Sequence, residues 1–466
     1  MAFRELTRHP LSMAGAALAV VSALLIVALT VVSAFDVGGG GGPYLGILAF
    51  MIMPGVFIAG LVMMPAGAWL QRRREARALA GGEAVPRLPI LDLNDPRTRS
   101  RLLIFGGLTA LNLVVISVAG YGGITFMESP TFCGSCHSVM DPEATAHRSS
   151  AHARVECVGC HIGPGASWFV KSKLSGAWQV VSVTFGLYSR PIAQPVQELR
   201  PARGTCEHCH LPGKFVGDRL QVRTRFDDDA ANTPLKTVLN LRVGGHGGTG
   251  PSGIHWHVAE GVEVRYLADP TRQLISEVEL RKPGQPVQTF KGKAPAAPGS
   301  AWRTMDCIDC HNRPSHTFHT AEAEVDSAVE AGRIDRSLPF VRREAVRLLA
   351  GATGEHEAVR ASLPAGLRAF YAAQYPEVAA AKGPAIDAAA AALADAYARN
   401  VWPKMNIGWN TYKNNLGHQQ APGCWRCHDD EHVDAGGKKI TQDCSLCHEL
   451  LADGEKDPAI LKVLRP

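Results

Sequence analysis

Cys133-Gly-Ser-Cys136-His137-Ser-Val-Met140-Asp141-Pro142-Glu143 is the first of a series. The Cys-x-x-Cys-His spacing returns at Cys157-Cys160-His161, Cys206-Cys209-His210, Cys307-Cys310-His311, Cys424-Cys427-His428 and Cys444-Cys447-His448, and the six copies consume all 12 cysteines. Two thiols at this spacing capture the two vinyl groups of a haem while the adjoining imidazole binds its iron from one face. Zinc sites also use Cys-x-x-Cys pairs, but structural zinc needs four ligands and gives no reason for a histidine after every second cysteine. Disulfides within each pair leave the six histidines equally unexplained. Six covalently attached haem c groups are therefore expected, with His137, His161, His210, His311, His428 and His448 as proximal iron ligands.

Upstream of the first motif the chain is apolar. Leu11 to Phe35, Pro43 to Leu70 and Leu102 to Met127 carry no charge, and each exceeds the ~20 residues that a helix needs to cross a bilayer core. A signal peptide is the rival for the first run, because Arg4 and Arg8 precede it. Its apolar length, however, exceeds the ~7 to 15 residues of a signal core. Three transmembrane helices are expected, with Pro54 and Pro65 kinking or ending the second. Basic residues stay on the cytoplasmic side. The connection from Asp36 to Gly42 has none, whereas the one after the second span holds Arg72, Arg73, Arg74, Arg77, Arg87, Arg97, Arg99 and Arg101. The N-terminus is then cytoplasmic and everything after Met127 lies outside, the side on which covalent haem is attached. That orientation makes the chain a multi-pass protein of a bacterial inner membrane with its haem region in the periplasm.

The full chain of 466 residues is long enough for about three units at ~150 residues each. Hydrophobic residues make up 46% and charged residues 20%, and a formal charge of +5 is too weak and scattered for a nucleic-acid partner. The expected fold is mainly α: three N-terminal transmembrane helices, then a multihaem c-type region of short helices and loops with a small β-rich insert. Its divisions are a membrane region (1–127), a cluster of haems 1 to 3 (128–213), the insert (214–300), a haem 4 segment (301–320), a helical segment (321–403) and a terminal haem pair (404–466). Lys236 to Val243, Val262 to Tyr266 and Leu274 to Leu280 alternate as strands do. Alternation through Ile254-His255-Trp256-His257-Val258 would put both histidines on one face. Ile386 to Arg399 reads as a helix ending near Pro403. The segment from Ala166 through Trp168, Lys171, Lys173 and Trp178 mixes aromatic and basic residues as membrane-interface helices do, although an ordinary amphipathic helix against the haems reads the same way.

Each iron can take a second ligand. With the six motif histidines set aside and His9 on the wrong side of the membrane, eleven of the 18 histidines remain. His208, inside its own motif, and His356, in a polar helical stretch, are excluded, and His246 and His319 add two further possibilities. The distal candidates are Met140, His147, His152, His255, His257, His316, His418 and His432. Met140 is either an axial thioether or a core methionine.

The helix leading into Cys133-Gly-Ser-Cys136-His137 with Met140 after it, the run His152-Ala-Arg-Val-Glu-Cys157-Val-Gly-Cys160-His161 and the Trp168 to Lys173 segment resemble the NapC/NirT family of membrane-anchored multihaem cytochromes c over residues 102–210. Usual members have one anchor and four haems. This chain, with three spans and six motifs, looks more like the enlarged inner-membrane cytochromes of metal-reducing bacteria, to which Cys307 through His316 and Trp409 to Cys427 are also similar. The resemblance implies that membrane quinol, menaquinol or ubiquinol, is oxidised beside the first haem and that a periplasmic cytochrome or reductase accepts the electrons. It adds Lys171 or Lys173 as quinol-positioning residues. Glu128, Asp141 and Glu143, with His147, lie near enough in sequence to take protons. Two alternatives stay open: an electron-relay subunit docked to other membrane subunits, and a terminal reductase of a small acceptor. Against the latter, every motif ends in histidine.

Overall fold

A computed structural model of the chain describes residues 9–34, 52–81, 93–134, 137–162, 166–195, 201–211, 217–246 and 251–463. The chain forms two compact units, Met1–His137 and Ser138–Pro466. Arg4, Arg8, the Asp36 to Gly42 connection, Arg87 and Cys136 lie outside the described residues, as do the side chains of His137 and Lys173.

The first unit contains three long helices, α1 (Pro10–Ala34), α2 (Met53–Ala80) and α3 (Pro96–Glu128), followed by the turn α4 (Pro130–Gly134). Pro65 lies inside α2 without ending it. Asp95 caps α3, accepting from the backbone of Arg97 and Thr98, and Pro96 supplies a preset first helical residue. Helices with apolar surroundings gain nothing from burying more apolar surface against each other, so close contact depends on small residues. A Cβ on Gly60 would lie 2.8 Å from the Ala19 nitrogen, and the Ser12 hydroxyl donates to the Met64 carbonyl at 2.8 Å. The outward side chains, Val20, Leu24, Ile58 and Val62, are apolar and exposed.

The expected count of three spans is corrected to two. Among the described residues, Pro10–Ala28 and Met53–Arg77 have the length and hydropathy to cross a membrane. The third apolar run does fold continuously within α3, but that helix opens on the charged Pro96-Arg-Thr-Arg-Ser-Arg101 turn and many of its side chains lie outside the described set.

After α5 (His137–Arg148), the second motif forms the single turn α6 (Cys157–His161), the longer α7 (Ala166–Thr184) follows, and the third motif begins at the end of α8 (Arg203–Cys206). β1 (Arg219–Phe226) and β2 (Pro234–Leu241) follow, then the two-residue strands β3 (Gly245–His246) and β4 (Pro251–Ser252). β5 (Glu263–Ala268), β6 (Ile275–Arg281), β7 (Gln288–Lys291) and β8 (Ala301–Thr304) form a four-stranded antiparallel sheet in the order β7-β6-β5-β8. The alternating pattern puts Val264, Tyr266, Ala268 and Val278 on its buried face, against which Cys427 and Ile440 pack.

After α9 (Cys307–Cys310) come five helices: α10 (Ala321–Glu330), α11 (Val341–Gly351), α12 (His356–Gln374), α13 (Pro376–Ala381) and α14 (Gly383–Asn400). They enclose Val325, Leu349, Leu367, Tyr371, Leu393 and Tyr397. Buried Asn232, in the β1–β2 turn, ties this bundle to the sheet, donating to the carbonyls of Arg336 and Leu338 and accepting from the Arg342 amide. The chain then returns to the first sheet: β9 (His448–Glu455) pairs antiparallel with β2, Leu241 opposite His448. A short helix, α15 (Ala459–Val463), follows. The β-rich segment is therefore not a self-contained insert, because its first sheet, β1-β2-β9, is completed from the C-terminal end.

Candidate haem-ligating site

Each described motif is a single tight turn. The His161 motif is α6; His210 and His311 donate from their backbone amides to the carbonyls of Cys206 and Cys307, four residues back, at 2.7 and 2.9 Å. His428 does the same to Cys424 at 3.1 Å, and the last motif turns through a 3₁₀ bond from Cys447 to Cys444. One turn of this pitch puts both thiols on one side and the imidazole beside them. At the fifth motif the turn needs Gly423, which has φ +52° and where a Cβ would strike the carbonyls of Asn415 and Gly417.

Five of the motif histidines face other histidines. Ring centroids are 6.2 Å apart for His161 and His316, 6.0 Å for His152 and His210, 6.3 Å for His255 and His311, 5.9 Å for His257 and His428, and 6.2 Å for His418 and His448. Two imidazoles bound to one metal from opposite sides, each through a nitrogen ~2 Å away, have centroids roughly 6 Å apart. The rings therefore fit an iron between them. A cavity of about 380 Å³ lined by Arg242, Cys444, His448 and Leu450 lies at the last motif, where His448 keeps a buried Nδ1 without a hydrogen-bond partner.

Second contacts divide the spare histidines. Nδ1 meets a backbone carbonyl in His152 (Pro314, 3.2 Å), His255 (Val243, 2.7 Å), His257 (Ile254, 2.8 Å) and His316 (Glu143, 3.0 Å), so Nδ1 carries the proton and Nε2 is left for a metal. His418 is aligned differently, its ring stacked on Trp425 at 4.1 Å. In His147, His356 and His432 the opposite nitrogen is committed: Nε2 is bonded to the carbonyls of Val155, Val401 and Ile275. His432 also bonds Asp429 through Nδ1 at 3.0 Å, so both its nitrogens are used and it faces no motif histidine among the described residues. Replacing His432 with Ala is expected to leave the haem absorption spectrum unchanged while costing ~1 to 3 kcal/mol of stability through the abandoned buried partners; spectroscopy and unfolding of the same sample check both parts.

Burial lowers the basicity of His161, His257, His311 and His418, and that of His316 to about 4, keeping the rings neutral as a ligand requires. His255 and His257 do not share a face. They lie in a 3₁₀ turn, Ile254–Val258, in which residues two apart are separated by about 240°. One faces His311 and the other His428.

The thiols of successive motifs are neighbours. Cys160 is within electrostatic reach of Cys209, Cys206 of Cys307, Cys310 of Cys424 and Cys427, and Cys424 of Cys447. The order in space thus follows the order in sequence from the second motif to the sixth. Asp306 caps α9 and Asp309, the second spacer of the fourth motif, completes a capping box. Asp309 also accepts from Tyr266 at 2.6 Å and Arg303 at 2.7 Å, locking that motif to the four-stranded sheet.

Of the expected quinol-site residues, Asp141 and Lys171 are exposed and Glu128 is half-buried. Glu143 is placed inside. Buried Arg313 donates to both its oxygens at 3.3 Å, and His316 Nδ1 lies 3.2 Å from its Oε2. Burial raises the Glu143 carboxyl above its ordinary value against the opposing pull of the guanidinium. Arg313 also covers the rings of Phe318 and Tyr412. Arg313 was not singled out from the sequence, where only its place five residues or fewer from His311 and His316 marked it. Met140 is half-buried on α5.

A chain that pairs covalent-haem motifs with apolar helices is a membrane-anchored multihaem c-type cytochrome, and residues 96–191 match the N-terminal region model of the NapC/NirT cytochrome c family. The chain belongs to this family, whose work is quinol-linked electron transfer through covalently bound haem c. Over 459 residues it is 41% identical to the cytochrome c-type protein ImcH of Geobacter sulfurreducens, an alignment covering 97% of this chain and 89% of that protein. It is 28% identical over 120 residues to the cytochrome c-type protein NrfH of Wolinella succinogenes, covering 24% of this chain and 67% of that one. No solved structure matches.

Proposed function

We propose that the chain takes electrons from membrane quinol and relays them through six haem c groups, five of them bis-histidine ligated, to a periplasmic acceptor. The observation that carries this reading is the set of five facing histidine pairs, which leave no iron from the second to the sixth motif open for a small substrate. Covalently bound haem supplies the one-electron couple. The residues supply its position: His316 with His161, His152 with His210, His255 with His311, His257 with His428, and His418 with His448.

The distal ligands also staple neighbours together. His152 precedes the second motif and serves the third, His316 follows the fourth and serves the second, and His418 precedes the fifth and serves the sixth. One turn delivers His255 and His257 to the fourth and fifth. Such cross-linking holds the sites at fixed separation and keeps water and substrates from the irons.

In this reading the haem region lies in the periplasm and quinol is oxidised next to Cys133–His137, with Met140 as a ligand there. Quinol gives up two electrons singly and two protons; Glu128, Asp141, Lys171 and Lys173 position it or take the protons, while Glu143 is engaged with Arg313. Electrons leave at the sixth motif, beside exposed Trp425, Leu446 and Leu450.

Titrating the purified full-length protein with a reduced menaquinol analogue, with no partner added, is expected to reduce its haems. Absence of reduction until another membrane protein is supplied overturns direct quinol oxidation in favour of a relay subunit, and a high-spin haem perturbed by nitrite or hydroxylamine overturns full ligation.

A further inference from the structure

Helix α7 carries an apolar stripe that nothing in its own unit covers. Leu174, Trp178, Val181 and Phe185 are 68%, 61%, 41% and 72% exposed. Their spacing of four, three and four residues confines them to about 60° of arc at 3.6 residues per turn, and the Phe185 amide still donates to the Val181 carbonyl at 3.0 Å, so the helical path includes it. The opposite face is the attached one: Val183 packs with Tyr188 and Ile192 against the core formed by Val139, Phe318, Met405 and Tyr412. Leu187, 60% exposed, extends the apolar surface past the helix end. A free soluble surface seldom gathers four such side chains in one row.

We propose that this stripe lies in the lipid–water interface, so that the haem-bearing unit rests on the membrane through α7 as a monotopic contact. Three features select lipid over a protein. The Ala166–Thr184 sequence has no acidic residue and two lysines, and exposed Lys171 lies at the edge of the same face, which suits an anionic headgroup layer. Trp178 at the middle of the row is the side chain most favoured at that depth. The stripe is one residue wide with small or polar flanks, Ser175, Ala177 and Gln179, enough to seat one face of a helix among the headgroups but too narrow for a stable protein interface. The family's membrane anchoring brings the unit close to such a surface. The proposal is independent of the quinol reading.

The test uses the full-length, haem-loaded protein in phosphatidylcholine–phosphatidylglycerol vesicles containing a phospholipid with a photoactivatable acyl chain, followed by digestion and mass spectrometry. Lipid adducts are expected on the 174–187 peptide as well as on α1 and α2, and Trp178→Glu with Phe185→Glu is expected to abolish the 174–187 adducts while the haem spectrum and the α1 and α2 adducts stay. Adducts on α1 and α2 with none on 174–187 overturn the proposal. So do protein–protein cross-links from this face to a second copy, and so do adducts that survive the double substitution.

Discussion

Changing His257 to Met is expected to give a folded protein with six haems in which one low-spin bis-histidine signal is replaced by a histidine–methionine one. The potential of that haem should rise by on the order of 0.1 V or more, within the ~0.8 V that axial ligands span. Thioether sulfur stabilises the reduced iron relative to an imidazole, and the site lies between the fourth and sixth motifs. An electron arriving there would be held, so reduction of the last haem by a quinol analogue should slow. His255→Met should produce the same spectral change on a different haem, because the 3₁₀ turn aims the two rings at His311 and His428 separately. Redox titration followed by low-temperature spectroscopy reads both variants. If the two substitutions alter the same haem, or neither alters any, the pairing is wrong.

The second large effect falls on Arg313. Its guanidinium is 2% exposed and holds Glu143, itself 15% exposed. Removing one member of a buried pair leaves a desolvated charge, at a cost of ~3 to 5 kcal/mol, and Arg313→Ala should lower stability by that amount in a denaturant titration. It should also change the haem tethered at Cys157 and Cys160, because Glu143 accepts from His316 and sets which nitrogen faces His161. Replacing both partners with apolar residues, Arg313→Met with Glu143→Leu, is expected to recover most of the stability. The change at that haem should persist, since the double variant lacks the carboxylate beside His316 Nδ1 altogether. Recovery of both quantities would show that the pair acts on packing alone.

The six motifs were legible from the chain because their pattern is local: two thiols and an imidazole fall within five residues, whatever surrounds them. The strands at Lys236, Val262 and Leu274 were legible for a similar reason, alternation being a property of the segment. The alternation read at His255 and His257 failed because Gly253, with φ +81°, turns the backbone into a 3₁₀ helix immediately before them. The apolar runs announced helices, yet apolar length alone overcounted the spans that the described residues support.

Histidine type and number sufficed to say that distal ligands were available, and five of the candidates do face motif histidines. Which ones, and for which motif, depends on carbonyls far away in the chain. His432 and His316 look alike in sequence, but Ile275 takes the Nε2 of one and Glu143 takes the Nδ1 of the other. An imidazole has two nitrogens and only one is left for iron, so its role follows from the neighbour that folding places against the other.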